Sequence, residues 1–256
     1  MKSIILAAGR GERLRPITDT VPKCLVPVNG RPILEYQLAA LSGSGIRKCV
    51  IVVGYLASQV EERFGSSYGG MDISYVLNQD FSSTNNMYSL WLSRHEVDDD
   101  ILLLEGDLLF EAGIISDLLN TRFLDTAVLD NFDLSMDGTV VIGRGNQAAR
   151  MVLKVKQTAE FDYSGALKTV NIYTFSKATM NEFVLPCAAD YISSGDKNQF
   201  YEAVIADLID RGDLTLRIHL TDGRLWREID TPDDLIRAEA DFQEAGLSWT
   251  DSSPYK

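Results

Sequence analysis

Residues Ile4-Ile5-Leu6-Ala7-Ala8 run without a polar side chain into Gly9-Arg10-Gly11-Glu12-Arg13-Leu14-Arg15-Pro16, and Pro22-Lys23-Cys24-Leu25-Val26-Pro27 follows. A continuous apolar run of this length fits a strand buried on both faces, as in an α/β sheet. The loop that ends it is rich in glycine and cations. Glycine lets the main chain approach a ligand closely, and backbone N–H groups beside Arg10, Arg13, Arg15 and Lys23 suit a polyphosphate. The four cations read as unpaired, and an anion such as a nucleoside triphosphate would pair them. Two better-known phosphate loops do not match. Leu14 stands where a dinucleotide fingerprint needs its third glycine, and the second strand ends at Gly54 without a ribose-binding carboxylate. No Gly-Lys-Ser/Thr triplet is present either.

The rest of the first half alternates strand and helix. Residues 3–7, 49–53, 71–77 and 101–104 read as strands, and 32–41, 56–64 and 85–95 as helices, with Pro32 in the first helical turn. From about residue 125 the rhythm changes to short strands at 126–129, 139–142, 151–155 and 169–175. Helices follow at 176–184 and 198–211, and segments 214–220 and 225–229 read as a hairpin turning at Asp222-Gly223. Thr231-Pro232 opens the last helix. The expected fold class is α/β: a Rossmann-like three-layer sandwich with a mostly parallel central sheet and a small β-rich insertion. We read residues 1–245 as a single domain with halves at 1–124 and 125–245, and residues 246–256 as a tail.

Charge narrows the partners. The chain carries 37 acidic against 24 basic residues, a formal charge of -13, which argues against nucleic acid and anionic membranes. No stretch approaches the roughly 20 apolar residues of a membrane span. Cys24, Cys49 and Cys187 lack paired metal spacing and read as reduced thiols, so the expected location is the cytoplasm.

Residues 6–14, with Pro22-Lys23-Cys24-Leu25, resemble the signature of the sugar-nucleotidyltransferase-like superfamily. Four further segments resemble the phosphocholine and aminoalkylphosphonate cytidylyltransferase group. They are Thr84-Asn85-Asn86-Met87-Tyr88-Ser89-Leu90-Trp91, Glu105-Gly106-Asp107, Lys168-Thr169-Val170-Asn171-Ile172-Tyr173 and Trp226-Arg227-Glu228-Ile229-Asp230-Thr231-Pro232. The Gly-Thr-Ala-Gly-like stretch of the sugar-phosphate branch is not found. The resemblance implies transfer of CMP from CTP to a small phosphate or phosphonate acceptor, with Mg2+ and release of pyrophosphate. It places the triphosphate on Leu6, Ala7, Ala8, Gly9, Arg10 and Gly11, with Arg13 on the β- and γ-phosphates and Lys23 on the α-phosphate. Gln79 and Asn85 become the candidates for the base, with Asn78 beside them and Gly106 on the nucleotide. A capped helix start is the other reading of Asn85.

Asp107 lies just past an apolar strand and Asp230 ends the strand 225–229, at the carboxyl ends where open α/β sheets bind ligands. Two such carboxylates suit an oxygen-ligated Mg2+ that keeps several waters, a role the resemblance also gives them. Asp107 as a turn residue and Asp230 as a helix cap are the alternatives. On the acceptor side the candidates are Lys168, Asn171, Tyr173, Asp130, Tyr201 and Glu202. Aromatic rings with a carboxylate would suit an ammonium group. A solvated edge lysine and ordinary core packing are the competing readings for Lys168 and the tyrosines. Two rival functions remain, a sugar-1-phosphate nucleotidyltransferase using UTP or dTTP and a non-catalytic nucleotide-binding regulator. A homodimer is compatible with this architecture.

Overall fold

The computed structural model describes residues 1–134 and 136–247, so residues 248–256 of the expected tail lie outside the described residues. The chain forms two compact units. Among the described residues the first comprises 1–82, 104–120 and 224–247, and the second 83–103 and 121–223.

In the first unit strand Lys2–Ala7 is buried along its whole length, as its apolar run requires. It pairs in parallel with Lys48–Val53, which pairs in parallel with Met71–Leu77, while the short Ser67–Tyr68 pairs antiparallel at the edge. Helix Ile33–Gly43 buries Ile33, Leu34, Gln37, Leu38 and Leu41, a stripe at helical spacing. Pro32 sits one residue before it, in extended backbone paired with Pro27, rather than in its first turn. A second apolar cluster joins Leu14, Val26, Val28, Ile33, Leu109, Ile229, Ala238 and Phe242. Burying such side chains stabilises by roughly 1.5–3 kcal/mol each. Leu14, Leu109 and Ile229 lie one or two residues from Arg13, Asp107 and Asp230, so this cluster fixes the backbone that carries the candidate site.

In the second unit strand Ala166–Phe175 pairs antiparallel with Thr126–Asn131 and with Val140–Arg144. Val140–Arg144 pairs antiparallel with Gln147–Val152. The expected hairpin of residues 214–220 and 225–229 is corrected. Arg217–Leu220 pairs in parallel with Thr126–Asn131, whereas Trp226–Glu228 pairs antiparallel with Leu108–Phe110 in the first unit. Asp222-Gly223 makes a turn between them, but each strand finds a better-buried partner from elsewhere in the chain. Helix 176–184 is corrected too. Ser176 caps Lys177–Thr179, a wide-turn segment Met180–Val184 follows, and the helix runs on through Leu185–Ser193. Pro186 follows directly on the wide-turn segment, and because a proline has no N–H to continue the ladder, the register changes just before it. Among the described residues no helix is long and apolar enough to cross a membrane.

Candidate active site

The glycine loop folds back over Lys23. Gly11 adopts a left-handed backbone at φ 67° and ψ 48°, and its carbonyl accepts from the N–H of Leu14 at 3.0 Å and from Oγ1 of Thr18 at 2.7 Å. No heavy atom stands within 4 Å of where a side chain on Gly9 would project, so this part of the loop is open to a ligand.

Asp107 is brought in by a turn that three neighbours hold. The N–H of Gly106 donates to the carbonyl of Leu6 at 2.8 Å, an approach that a side chain would block, since a Cβ there would meet the Cβ of Ala7 at 2.7 Å. The N–H of Ile229 donates to the carbonyl of Asp107 at 3.0 Å, extending the ladder that pairs Glu228 with Leu108. Buried Gln37 donates from Nε2 to the carbonyls of Glu105 at 2.8 Å and Leu108 at 2.7 Å. That ladder delivers Asp230 beside Asp107. The helix Pro232–Glu244 is capped by Thr231 and Asp234 in a reciprocal capping box, which leaves the Asp230 side chain to other partners.

Those partners are cations. The Lys23 ammonium donates to Oδ2 of Asp107 and to Oδ1 of Asp230, the latter at 2.6 Å, and Nη2 of Arg13 lies 2.9 Å from Oδ1 of Asp230. Burial opposes the charge on Lys23, but the two carboxylates outweigh it and hold its pKa well above the ordinary lysine value. Burial likewise opposes the charge on Asp230, and Lys23 and Arg13 together bring its carboxyl below the usual range. The neighbouring Cys24 is no nucleophile, because burial pushes its thiol up to about 12.

The expectation of four unpaired cations is corrected. Arg15 pairs with Asp19 at 3.2 Å, and Arg10 lies over the ring of Tyr55, 5.2 Å from its centroid. Flexible surface cations next to carboxylates find local partners, which a linear sequence does not reveal.

The residues present fit a divalent cation. Oδ1 of Asp107 is buried and accepts no hydrogen bond, although a carboxylate oxygen removed from water needs a donor or a cation. Among the described residues no cluster of three or more His, Cys, Asp or Glu forms a cage. A pair of carboxylates is the arrangement that suits Mg2+ with waters and phosphate oxygens completing its shell.

The base candidates behave differently from one another. Gln79 is exposed. Asn78 is buried, and its Oδ1 accepts from the N–H of Asp80 at 3.0 Å, closing the turn that presents Gln79. In the second unit Asn85 caps helix Asn86–Leu92 and accepts from the N–H of Asn86 at 2.9 Å, so the capping reading of Asn85 holds.

The second unit gathers the acceptor candidates around strand Ala166–Phe175. Lys168 stands opposite Asp130 across the strand pair and donates to the carbonyl of Thr169 at 2.8 Å. It is 2 % exposed, so the solvated edge reading is corrected. Asn171 takes a left-handed φ of 61° where the register with Thr126–Asn131 shifts, a bulge that re-aims the strand. Glu202 is buried, accepts from Oγ1 of Thr139 at 3.3 Å, and has a carboxyl pushed up by burial against the opposing pull of Lys168, Thr139 and Asn86. Tyr173 and Tyr201 are fully buried and meet edge to face, with centroids 5.7 Å apart. An open aromatic wall is corrected to core packing for this pair.

Sequence reasoning missed Gln37, Asn86 and Thr139. Gln37 left a signal, a lone amide on the apolar stripe of its helix, and Asn86 lay within the segment 84–91, whereas Thr139 left none.

The nucleotidyl transferase family profile matches residues 2–245. The chain belongs to the nucleotidyl transferase family. It is 35% identical over 244 residues to the CMP-5'-(3-aminopropyl)phosphonate synthase of Streptomyces rubellomurinus, covering 95% of this chain and 38% of that protein. It is 38% identical over 126 residues to the choline-phosphate cytidylyltransferase of Streptococcus pneumoniae, covering 48% of this chain and 52% of that protein. The match thus spans about half or less of the length of these first curated relatives. Family members acting on sugar phosphates are also similar. The solved CTP:phosphocholine cytidylyltransferase of S. pneumoniae superposes with a TM-score of 0.76 at 25% identity, covering 94% of this chain and 98% of that one. The expected α/β fold is therefore that of the nucleotidyl transferase family.

Proposed function

We propose that the chain transfers a cytidylyl group from CTP to a small phosphate or phosphonate acceptor and releases pyrophosphate. The observation that carries this reading is the convergence of Lys23, Asp107 and Asp230 behind an open glycine loop. The naming of the first relatives for cytidylyl transfer supports CTP. An ionised acceptor oxygen attacks the α-phosphorus in line. The new P–O bond forms as the bond to the β-phosphate bridging oxygen breaks, and pyrophosphate leaves with that electron pair. The attacking oxygen is already anionic at neutral pH, so the protein need not supply a general base.

Catalysis then comes from positioning and charge. Residues 6–11 bind the triphosphate, Arg13 contacts its outer phosphates, and Lys23 stabilises charge developing at the α-phosphate. Asp107 and Asp230 would hold Mg2+, which when bound neutralises phosphate oxygens and orients them. Gln79 contacts the base. On this reading residues 1–124 supply the nucleotide side, and residues 125–245 supply the acceptor side and the second metal carboxylate. Lys168 and Asn171 would meet the acceptor phosphate, with Asp130 and Glu202 for a cationic head group. Three buried free thiols suit a reducing compartment such as the cytoplasm.

The test is pyrophosphate release with Mg2+, crossing CTP, UTP, ATP, GTP and dTTP against phosphocholine, aminoalkylphosphonates and sugar 1-phosphates. Release with CTP and one small acceptor is expected. The sugar-phosphate relatives favour a second reading, and release only with UTP or dTTP and a sugar 1-phosphate would establish it instead.

A further inference from the structure

Gln37 belongs to helix Ile33–Gly43, on the face where its neighbours Ile33, Leu34, Leu38 and Leu41 are all apolar and fully buried. It is fully buried as well. An amide there needs a reason, because an apolar side chain of similar volume would fill the space without polar groups to satisfy. Its Nε2 donates to two carbonyls, Glu105 at 2.8 Å and Leu108 at 2.7 Å. Both partners are acceptors, so the orientation of the amide is fixed by chemistry. Its Oε1 is buried without a donor, so stability alone does not account for the residue.

The two carbonyls bracket Gly106 and Asp107. The backbone on either side of Asp107 is thus tied to one rigid helix by a single side chain. Main-chain hydrogen bonds at Gly106 and Ile229 add to this hold on the turn. We propose that Gln37 is a positioning residue for the divalent-cation site: it fixes the turn so that the buried, hydrogen-bond-free Oδ1 of Asp107 is aimed at a cation. The inference rests on the metal role proposed for Asp107 and Asp230. It goes beyond that role by assigning cation affinity to a residue that touches neither cation nor substrate. Outer-shell partners of metal ligands commonly govern affinity or activity by about 10- to 100-fold.

The experiment is direct Mn2+ binding to the full chain without nucleotide, by calorimetry or by electron paramagnetic resonance of free Mn2+. It compares wild type with Gln37→Met, Gln37→Asn and Leu38→Val, and thermal unfolding confirms that each is folded. Gln37→Met keeps length and helix propensity but has no donor, and about tenfold weaker Mn2+ binding is expected. Gln37→Asn keeps the amide on a shorter stem and should fall between Gln37→Met and wild type. Leu38→Val disturbs the same buried helix face and should bind as wild type does. Wild-type binding in Gln37→Met, or in Gln37→Asn should Gln37→Met not fold, would overturn the assignment. So would equal weakening in Leu38→Val, which would make the effect one of packing. A wild-type chain that binds no Mn2+, either alone or with a non-hydrolysable CTP analogue, would overturn the metal reading itself, and this assignment with it.

Discussion

A Cβ on Gly11 would stand 3.0 Å from the Cβ of Lys23 and 3.1 Å from its Cγ, so the loop and the lysine stem are packed as one piece. The left-handed backbone at Gly11 adds a second objection to any side chain there, worth about 1–2 kcal/mol. Gly11→Ala should therefore lower stability by about that amount and displace Lys23, cutting turnover about tenfold or more. Gly9→Ala meets no neighbour and has no positive φ, so its unfolding should match wild type while the KM for CTP rises. Thermal unfolding and steady-state kinetics of the pair check this. Equal behaviour of the two variants would remove the distinction.

Lys23 holds a position between two carboxylates that a divalent cation would also favour. Lys23→Met leaves both carboxylates facing each other without their ammonium, at a cost on the order of 3 kcal/mol. Added Mg2+ should restore more stability to this variant than to wild type, while turnover stays about 10² to 10³ lower. Melting temperatures with and without Mg2+ measure the first effect and saturating-CTP kinetics the second. A smaller Mg2+ shift than in wild type would show that the lysine and the metal do not share the carboxylates.

Much of this site was legible in the sequence because its parts are local. The strand, the glycine loop and Lys23 lie within the first 25 residues, and Asp107 and Asp230 each come just after a segment that reads as a strand. What the sequence does not hold is pairing over distance. Residues 225–229 read as a strand, but nothing in them names Leu108–Phe110 as partner over the nearer Arg217–Leu220. A different gap hid the pairing of Arg15 with Asp19, only four residues on, because a charge looks the same in the sequence whether or not it is neutralised. Burial misled differently at Lys168, Tyr173 and Tyr201. Amphipathic side chains suit an open pocket and a closed core equally well until neighbours are known.

Asp230 and Thr231 are adjacent, yet they separate the cation role from the capping role. Thr231→Ala removes the side chain that accepts from the N–H of Asp234, and should cost about 1 kcal/mol without altering the Mg2+ response. Asp230→Asn removes the charge facing Lys23 and Arg13, and should cost about 1–2 kcal/mol at pH 7. The Asp230 carboxyl is depressed in the folded chain, so its contribution is present above the unfolded value of about 3.9 and is lost as pH falls through the folded one. The gap between Asp230→Asn and wild type should therefore begin to narrow below about pH 4 and close only below the depressed folded value. Denaturant titrations stepped from pH 7 down to about pH 2 test it, and a gap that does not narrow across that range would mean that packing, not charge, is what the substitution removes.

Glu202 carries the opposite sign. Burial pushes its carboxyl up against the pull of Lys168, Thr139 and Asn86, so in the folded chain the ionised form is the costly one. The unfolded chain releases that proton first as pH rises, so wild-type stability falls from the unfolded pKa of about 4.3 up to the folded one and then levels. Glu202→Gln keeps an acceptor for Thr139 and removes the charge. Its melting temperature should match wild type near pH 4 and exceed it at pH 8 by on the order of 2–4 °C. A carboxylate kept at a cost to stability is consistent with a cationic ligand. The same variant should therefore raise the KM for an acceptor bearing an ammonium group while leaving the KM for CTP unchanged. A lower melting temperature at pH 8 would instead make Glu202 a net stabilising partner of Lys168, and an unchanged acceptor KM would remove it from the acceptor site.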